Sequence, residues 1–428
     1  MRSQGLIGLA AIAASVPGAL CGAYLGALGA LGGSRRGSPH GPAAELLDYF
    51  PLITVLVPAH NEENNVAATV SSLLATDYPA PRLRVLVVAD NCRDETASVA
   101  RRAGASVLER RDEVRRGKGY ALAVGFEHLL ADPTVDAVAV VDADTSVSVN
   151  LFIEMACAFQ RGDDVVQADY GVRNASASWR TRLMVIALSC FHGVRSTARE
   201  RLALSCGLRG TGMGFTRAAL VRVPHDSTGL VEDVEYGIVL GLAGHRVAYL
   251  GAAHVYAEMP STAAAATSQR DRWEHGRREL IRRWGPSLAR SAPGDRVAAD
   301  LLADLLVPPV AQLVATLLIV GTAGAVLASS GLTALPVALS ATGLAGVCLY
   351  VARGWQLSAT GLRGLCDLVA APAYVGWKLG SKVLGRVKPR RDNGWVRTAR
   401  EPLEGNDLAS ERPKIACLTT TKDEEPWE

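Results

Sequence analysis

Two long stretches of the chain contain no charged residue, and they limit the possible folds more than any other feature. The first runs from Gly5 to Gly33, 29 residues, and the second from Leu305 to Ala352, 48 residues. Because about 20 apolar residues suffice to cross the hydrocarbon core of a bilayer, both are long enough to span a membrane. Ser329-Ser-Gly331 lies near the middle of the second stretch, so we expect two helices there that form a hairpin. The sequence therefore predicts membrane helices at both ends of a soluble domain.

The first stretch resembles either a retained membrane anchor or a secretory signal peptide. The apolar core of a signal peptide has about 7 to 15 residues, and this stretch is about twice as long, which favours an anchor over residues 1–33. Basic residues gather at Arg35-Arg36, across Arg270–Arg283 and across Lys378–Arg400. Positively charged flanks of membrane helices stay in the cytoplasm. We therefore expect a multi-pass protein of the cell (inner) membrane whose soluble domain is cytoplasmic, with the N-terminus and the Ser329 turn outside.

Composition divides the rest of the chain into segments. We expect the following: a Gly/Ser/Pro/Arg linker at 34–51, a soluble domain at 52–284, an interfacial helix at 285–304, a membrane hairpin at 305–352, an interfacial or re-entrant helix and a basic segment at 353–400, and a disordered tail at 401–428. The eight cysteines form no C-x-x-C pair, which is typical of reduced cysteines rather than of disulfides or a zinc site. The net charge of +3 is too small to indicate nucleic-acid binding.

Strand-like and helix-like runs alternate four times within the soluble domain, with strands starting at Leu52, Leu83, Ala105 and Ala137. This alternation is typical of an α/β fold with a mostly parallel sheet and helices on both faces. Polar residues follow three of the strands: Asn61 and Glu62, then Asp90 and Asp94, then Asp142 and Asp144. Ligands of such sheets bind at the carboxyl ends of the strands, so we expect a nucleotide pocket there. Neither G-x-G-x-x-G nor G-x-x-x-x-G-K-[ST] follows the first strand, which disfavours dinucleotide binding and ATP hydrolysis.

Asp142-Ala-Asp144 ends the most apolar of these strands with two carboxylates. In an extended segment, residues two apart point to the same side. Two hard oxygen donors suit Mg²⁺ or Mn²⁺, with substrate phosphates completing the coordination shell. The pair therefore predicts a divalent metal that bridges to a diphosphate, and the alternative is a solvated Asp-x-Asp turn.

Several motifs, in order along the chain, resemble family 2 glycosyltransferases of the GT-A fold. In the first half these are Val57-Pro58-Ala59-His60-Asn61-Glu62, the Asp90 cluster, Gly117-Lys118-Gly119 and Asp142-Ala-Asp144. In the second half Gly210-Thr-Gly-Met-Gly-Phe-Thr-Arg resembles the acceptor-side loop, and Val231-Glu232-Asp233 resembles the catalytic "ED" motif. Gln269-Arg-Asp-Arg272-Trp273 is similar to the Q-x-x-R-W motif of the membrane-bound branch that includes cellulose and hyaluronan synthases. The resemblance extends from about Leu52 to Trp284.

The resemblance implies a role for each matching residue. The donor nucleotide would contact Pro58, Asn61, Glu62, Asp90, Lys118 and Asp142, with Asp90 at the uracil edge. Asp144 would bind the metal, with Asp142 either assisting it or touching the ribose. His254 would complete the metal shell, although a lone histidine is also typical of a structural role. The diphosphate and the acceptor would contact Gly210, Gln269, Arg270, Arg272 and Trp273. Asp233 would be the general base that deprotonates the acceptor hydroxyl.

Plainer interpretations of the same residues stay open. Lys118 also fits a solvated lysine at a helix start, and Glu232 or Glu235 would replace Asp233 as the base if the register is displaced. An acidic helix start is also stabilised by the helix dipole alone. The basic run after Trp273 fits a helix at the membrane surface, with four apolar side chains toward the acyl chains: Leu280, Ile281, Trp284 and Leu288.

The sequence thus predicts an inverting, metal-dependent glycosyltransferase. We expect a nucleoside-diphosphate sugar donor, a UDP-sugar, and a lipid-linked or polysaccharide acceptor in cell-surface glycan or exopolysaccharide synthesis. The Q-x-x-R-W match favours a processive polysaccharide synthase, whereas the few membrane helices favour single or limited addition. A catalytically silent nucleotide-binding membrane scaffold is the alternative from another class, and the presence of Asp142, Asp144 and Asp233 argues against it.

Overall fold

The computed structural model of the protein describes residues 2–33, 47–174, 178–257 and 263–383. Within these ranges, the side chains of residues 2–5, 263–272 and 373–383 are outside the description. Most of the predicted linker, the basic residues beyond 383 and the predicted tail at 401–428 also lie outside the described residues.

The soluble domain is built on one eight-stranded sheet with the strand order β3-β2-β1-β4-β7-β6-β8-β5. The strands are β1 Ile53–Ala59, β2 Leu83–Asp90, β3 Ser106–Arg110, β4 Ala137–Val140, β5 Thr145–Val147, β6 Val165–Val172, β7 Met213–Thr216 and β8 Val247–Ala257. Strands β3, β2, β1 and β4 are parallel to one another, β6 is parallel to β8, and β7 runs antiparallel between β4 and β6. The predicted α/β fold with a mostly parallel sheet is therefore confirmed.

Helices cover both faces of this sheet. They are α2 Val66–Leu74, α3 Thr96–Arg102, α4 Lys118–Leu130, α5 Leu151–Gln160, α6 Trp179–Leu188, α7 Arg195–Arg201, α8 Arg217–Arg222, α9 Glu232–Leu242, α10 Ala263–Ser291 and α11 Arg296–Leu306, with a π-helical turn at Ser189–Val194. Strand β1 shows why two layers form, because successive side chains point to opposite faces. Val55 and Val57 join the core that contains α2 and α5, whereas Leu56 joins the core that contains α4.

Within the described ranges, three helices are long and apolar enough to cross a membrane: α1 Arg2–Leu31, α12 Val310–Ser329 and α13 Leu335–Leu357. Helices α12 and α13 are joined at residues 330–334, where the sequence predicted a hairpin turn. A fourth helix, α14, spans Gly361–Val383, the segment for which we predicted an interfacial or re-entrant helix. Apolar helices at both ends of the soluble domain are therefore confirmed.

The alternative interpretation of α10, with its apolar side chains toward lipid, is wrong for the second half of the helix. Leu280 is 4% exposed and Leu288 is 0% exposed, because both pack against α9 and α11. Trp284 is partly buried in the same cluster, and its Nε1 donates a hydrogen bond of 3.1 Å to Glu235. The single interfacial helix expected at 285–304 is also divided, since α10 ends at Ser291 and α11 begins at Arg296. Protein rather than lipid covers this face.

Candidate active site

The carboxyl ends of β1, β2 and β4 meet at one edge of the sheet, as expected for parallel strands. The loop after β1 is tied to the loop after β2 by side chains on both. The backbone N–H of Arg93 donates to Oδ1 of Asn61 (2.8 Å), and that of Glu62 donates to Oγ1 of Thr96 (2.7 Å). Pro58 lies within β1, beside Val88 of β2. The predicted donor residues of these two loops thus form one continuous rim.

Asp90 ends β2 and is 2% exposed. Its Oδ1 accepts hydrogen bonds from Nη1 of Arg110 (2.6 Å) and from Nδ2 of Asn91 (3.0 Å). Because Arg110 is the register partner of Asp90 on β3, this ion pair closes the end of the sheet. The carboxylate is therefore engaged within the protein, and its predicted role at the nucleoside stays a prediction.

Lys118 lies at the centre of the site, at the first residue of α4. Its Nζ is 2.6 Å from Oδ1 of Asp142 and 3.8 Å from Oε1 of Glu232. The same nitrogen donates a hydrogen bond of 2.6 Å to the carbonyl oxygen of Gly210. Burial alone lowers the pKa of Lys118, but the charges of Asp142 and Glu232 raise the pKa above its ordinary value. The lysine is therefore not a solvated side chain, and it stays charged between acidic groups.

Asp233 reaches the same place from the start of α9. A Cβ atom at Gly210 would lie 3.2 Å from Nζ of Lys118 and 3.3 Å from Oδ2 of Asp233. Gly210 has a φ of 83°, in the left-handed region that favours glycine. Lys118 and Asp233, which are far apart in the sequence, thus both lie beside Gly210.

The two acidic residues that begin α9 have raised pKa values. Burial raises the pKa of Glu232 to about 7, although the Lys118 charge opposes this shift. Burial also raises the pKa of Asp233, and here too Lys118 opposes the shift. Glu235, the other candidate base, accepts hydrogen bonds from α10 through Trp284 (3.1 Å) and pairs with Arg283 (2.8 Å). Its contacts are structural, which favours Asp233 or Glu232 as the reactive group.

The glycine-rich loop before β7 lies against the loop that follows β4. Oγ1 of Thr211 accepts a hydrogen bond of 3.1 Å from the backbone N–H of Asp142, and the N–H of Gly212 donates to the carbonyl of Val140 (2.9 Å). Antiparallel pairing of β4 with β7 produces this contact. The predicted acceptor-side loop and the acidic pair are thus neighbours.

The predicted metal ligands do not form a three-residue cluster. Asp142 and Asp144 lie in the turn after β4 and are both partly exposed. Nδ1 of His254 in β8 is 3.1 Å from Oδ2 of Asp169. Across the described residues, no three His, Cys, Asp or Glu side chains gather as a metal site. Two carboxylates still fit an ion that substrate phosphates complete, so the ligand roles of all three residues stay predictions.

The predicted Q-x-x-R-W residues lie on α10. The side chains of Gln269, Arg270 and Arg272 are outside the description, whereas Trp273 is described and 40% exposed. One turn further along, a Cβ atom at Gly276 would be 2.6 Å from Cγ2 of Val231, the residue before Glu232. This part of α10 therefore adjoins the start of α9, and the roles of its residues stay predictions.

The family profile described as "Glycosyltransferase like family 2" matches residues 51–276. The chain belongs to this glycosyltransferase family. It is 26% identical over 246 residues to "Probable glycosyltransferase YdaM" of Bacillus subtilis (strain 168), with 55% of this chain and 58% of that protein covered. It is also 26% identical over 276 residues to "Beta-monoglucosyldiacylglycerol synthase" of Nostoc sp. (strain PCC 7120 / SAG 25.82 / UTEX 2576), with 61% and 56% covered. The chain thus spans less than two thirds of the length of these two relatives.

A solved structure with the same fold is the mannosyltransferase PcManGT from Pyrobaculum calidifontis, in complex with GDP-Man and Mn²⁺. It covers 86% of this chain and 98% of its own chain, with a TM-score of 0.52 and 19% sequence identity. At this identity the likeness concerns the fold alone, and the predicted GT-A fold is confirmed.

Three residues of this family 2 member escaped the sequence analysis. Thr211 holds the backbone of Asp142, Asp169 holds the ring of His254, and Arg209 lies half-buried directly before Gly210. Thr211 lies between two glycines in the motif that begins at Gly210, and this position could have identified it. Asp169 and Arg209 have no local signal, because their partners come from distant parts of the chain.

Proposed function

We propose that the protein is an inverting glycosyltransferase that uses a nucleoside-diphosphate sugar, a UDP-sugar, on the cytoplasmic side of the cell membrane. The observation that carries the proposal is the position of Lys118. Its ammonium links Asp142, at the predicted donor side, to Glu232 and Gly210, at the predicted acceptor side. One sugar could therefore reach both sides at once, which a single displacement requires.

Asp233 is the general base of the proposed reaction. Burial raises the pKa of its carboxyl, and a base is most effective when its pKa lies close to the working pH. The carboxylate takes the proton of the acceptor hydroxyl while the oxygen attacks the anomeric carbon. The diphosphate leaves from the opposite face, so the anomeric configuration inverts. The positive charge of Lys118 lies between the base and the donor side, where negative charge develops on the leaving group.

Asp142 and Asp144, with His254 as a third candidate, would hold a divalent cation, Mg²⁺ or Mn²⁺. When bound, such an ion stabilises the charge of the departing diphosphate. The carboxylate of Asp169 on Nδ1 of His254 supports the third position, because metal-binding histidines are commonly oriented in this way.

The acceptor is proposed to be lipid-linked or a polysaccharide. Support comes from the three apolar helices, which would hold the site close to a membrane surface, and from a relative that is named a glycolipid synthase. Trp273, partly exposed on α10, offers a flat face on which an acceptor sugar can stack.

Nucleotide release from a panel of UDP- and GDP-sugars tests this proposal. The full-length protein, supplied with membrane lipids and Mn²⁺, is expected to release nucleotide from one donor and to form a product with inverted linkage. Binding of a nucleotide without turnover of any donor would favour the catalytically silent scaffold instead.

Product length separates single addition from a processive synthase. The small number of apolar helices in the described chain favours one or a few additions, because a long polymer channel needs more helices. We expect products extended by one or a few sugars in gel or mass analysis. A ladder that reaches high mass would identify a processive enzyme.

A further inference from the structure

A buried network of ion pairs lies between the membrane helices and the glycosyltransferase domain. Arg199 is 1% exposed, and its guanidinium pairs with Asp300 (2.8 Å) and with Asp304 (2.9 Å), both on α11. Arg195 is 6% exposed and also pairs with Asp304 (2.5 Å). Since buried charges are costly unless they are paired, these contacts fix how α7 and α11 are docked.

Two tyrosines of the membrane helices complete the network. The hydroxyl of Tyr24 in α1 accepts from Nη2 of Arg199 and donates to Oδ1 of Asp300, both at 2.8 Å. The hydroxyl of Tyr350 in α13 accepts from Nε of Arg195 at 2.8 Å. The network therefore contacts α1 and α13 as well as α11.

Arg209 lies beside this network, directly before Gly210 in the loop that contacts Lys118. Its guanidinium stacks on Phe191 at 4.3 Å, and its Nη2 donates to the carbonyl of Cys206 (2.7 Å). Its backbone N–H donates to Oε1 of Gln167 (2.9 Å). A cavity of about 30 Å³, large enough for one water molecule, is lined by Arg209, by Asp304 and by Val234, the neighbour of Asp233.

We propose that Arg209 is a positioning residue that couples the membrane helices to the catalytic site. With α1, α11 and α13 docked through Asp304, Arg209 holds the Gly210 loop against Lys118 and Asp233. Without that docking, the loop moves and sugar transfer slows. This inference rests on the proposed role of Asp233.

The charges support the same link. Arg209 lowers the pKa of Asp233, against the larger effect of burial, and Arg199, Arg195 and Arg209 together hold the pKa of Asp304 low against its burial. The charged groups that face Asp233 are Lys118 of α4, Asp142 after β4, Arg209, and Glu232 of its own helix. Among the described side chains of the helices packed on α9, Arg283 of α10 pairs with Glu235, and Asp304 of α11 lines the cavity beside Val234.

The test measures kcat, KM and the pH midpoint of kcat for full-length variants in lipid nanodiscs. Arg209→Gln is expected to lower kcat about tenfold or more with a nearly unchanged KM for the donor. The variant also removes the positive charge of Arg209 near Asp233, which raises the pKa of Asp233. The acid limb of the kcat profile therefore moves to higher pH. Asp304→Asn removes a negative charge instead, which lowers the pKa of Asp233. The acid limb of this variant therefore moves to lower pH while its kcat falls. Arg209→Lys keeps the charge and is expected to keep the midpoint.

Asp367→Asn is the matched control. It breaks a comparable ion pair between α6 and α14, with Arg182, that does not reach Asp233. We expect it to leave the midpoint and KM unchanged. Because a midpoint does not depend on the amount of folded enzyme, partial misfolding of a variant does not hide the result.

Three results would overturn the coupling. The pH midpoints stay fixed, they move in the same direction in Arg209→Gln and Asp304→Asn, or they move equally in Asp367→Asn. The proposed function fails separately, if Asp233→Asn retains wild-type transfer.

Discussion

At the scale of single residues, the site depends on a glycine, Gly210, because a side chain at this position would collide with its neighbours. Gly210 adopts a φ of 83°, and its missing Cβ leaves room between Lys118 and Asp233. A methyl group there would displace the ammonium or the carboxylate. Small displacements of this kind cost activity far more than they cost stability.

Gly210→Ala is therefore expected to lower kcat about 10- to 100-fold, because a misplacement of about 1 Å is that costly. The matched control is Gly244→Ala, since Gly244 has a similar φ of 86° but no atom within 4 Å of its Cβ position. Both variants bear the same backbone strain, and the control is expected to retain kcat. Steady-state transfer assays compare them, and equal losses of kcat would show that strain alone is responsible.

At the scale of elements, α10 is fixed by protein contacts along its second half. Leu288 is fully buried in a cluster with Ile238 of α9 and Leu301 of α11. Glu235 of α9 accepts the indole N–H of Trp284 from the same helix face. The helix therefore braces α9, which carries Asp233 at its start.

Leu288→Ala is expected to destabilise the protein by about 2 to 5 kcal/mol, as for other large-to-small changes in a core. Leu306→Ala is the control, because Leu306 is 51% exposed at the end of α11. Denaturation in detergent, followed by tryptophan fluorescence, measures both. If Leu288→Ala is as stable as the control, the result would favour the interpretation in which this side of α10 faces lipid.

Some elements of the fold could be predicted from the sequence and others could not. The four parallel strands and their helices were predictable, because buried β-branched runs and helical runs alternate there. Strands β5 and β7 were not, since both are short and each pairs antiparallel with a strand distant in the chain, outside the β-α alternation. In the site, Lys118 and Asp233 were predicted from motifs. Arg209 and Asp169 were missed because their contacts with Gln167, Phe191 and His254 join distant parts of the chain and leave no pattern in neighbouring residues.

At the scale of the whole molecule, the first helix is joined to the last third of the described chain. A Cβ atom at Gly22 in α1 would lie 2.3 Å from the carbonyl oxygen of Gly343, and one at Gly26 would lie 2.8 Å from Cα of Gly346. Such close backbone contact between α1 and α13 is a common way to pack membrane helices. The buried arginines then connect this helix unit to the domain.

The basic clusters predict that the domain is cytoplasmic and that the turn between α12 and α13 is outside. Ser330→Cys is therefore expected to react with a membrane-impermeant maleimide in intact cells. Arg102→Cys, exposed on α3, is the control and is expected to react only after permeabilisation, with the native cysteines as background. The reverse labelling pattern would invert the topology.

The central claim is that Asp233 accepts the proton of the acceptor hydroxyl. Its most direct test compares sugar transfer and donor-nucleotide affinity in Asp233→Asn, which keeps the shape of the side chain and removes the basic oxygen. Our account predicts that transfer is abolished while nucleotide affinity stays within severalfold of wild type. Retained transfer, or an equal loss of nucleotide binding, would contradict it.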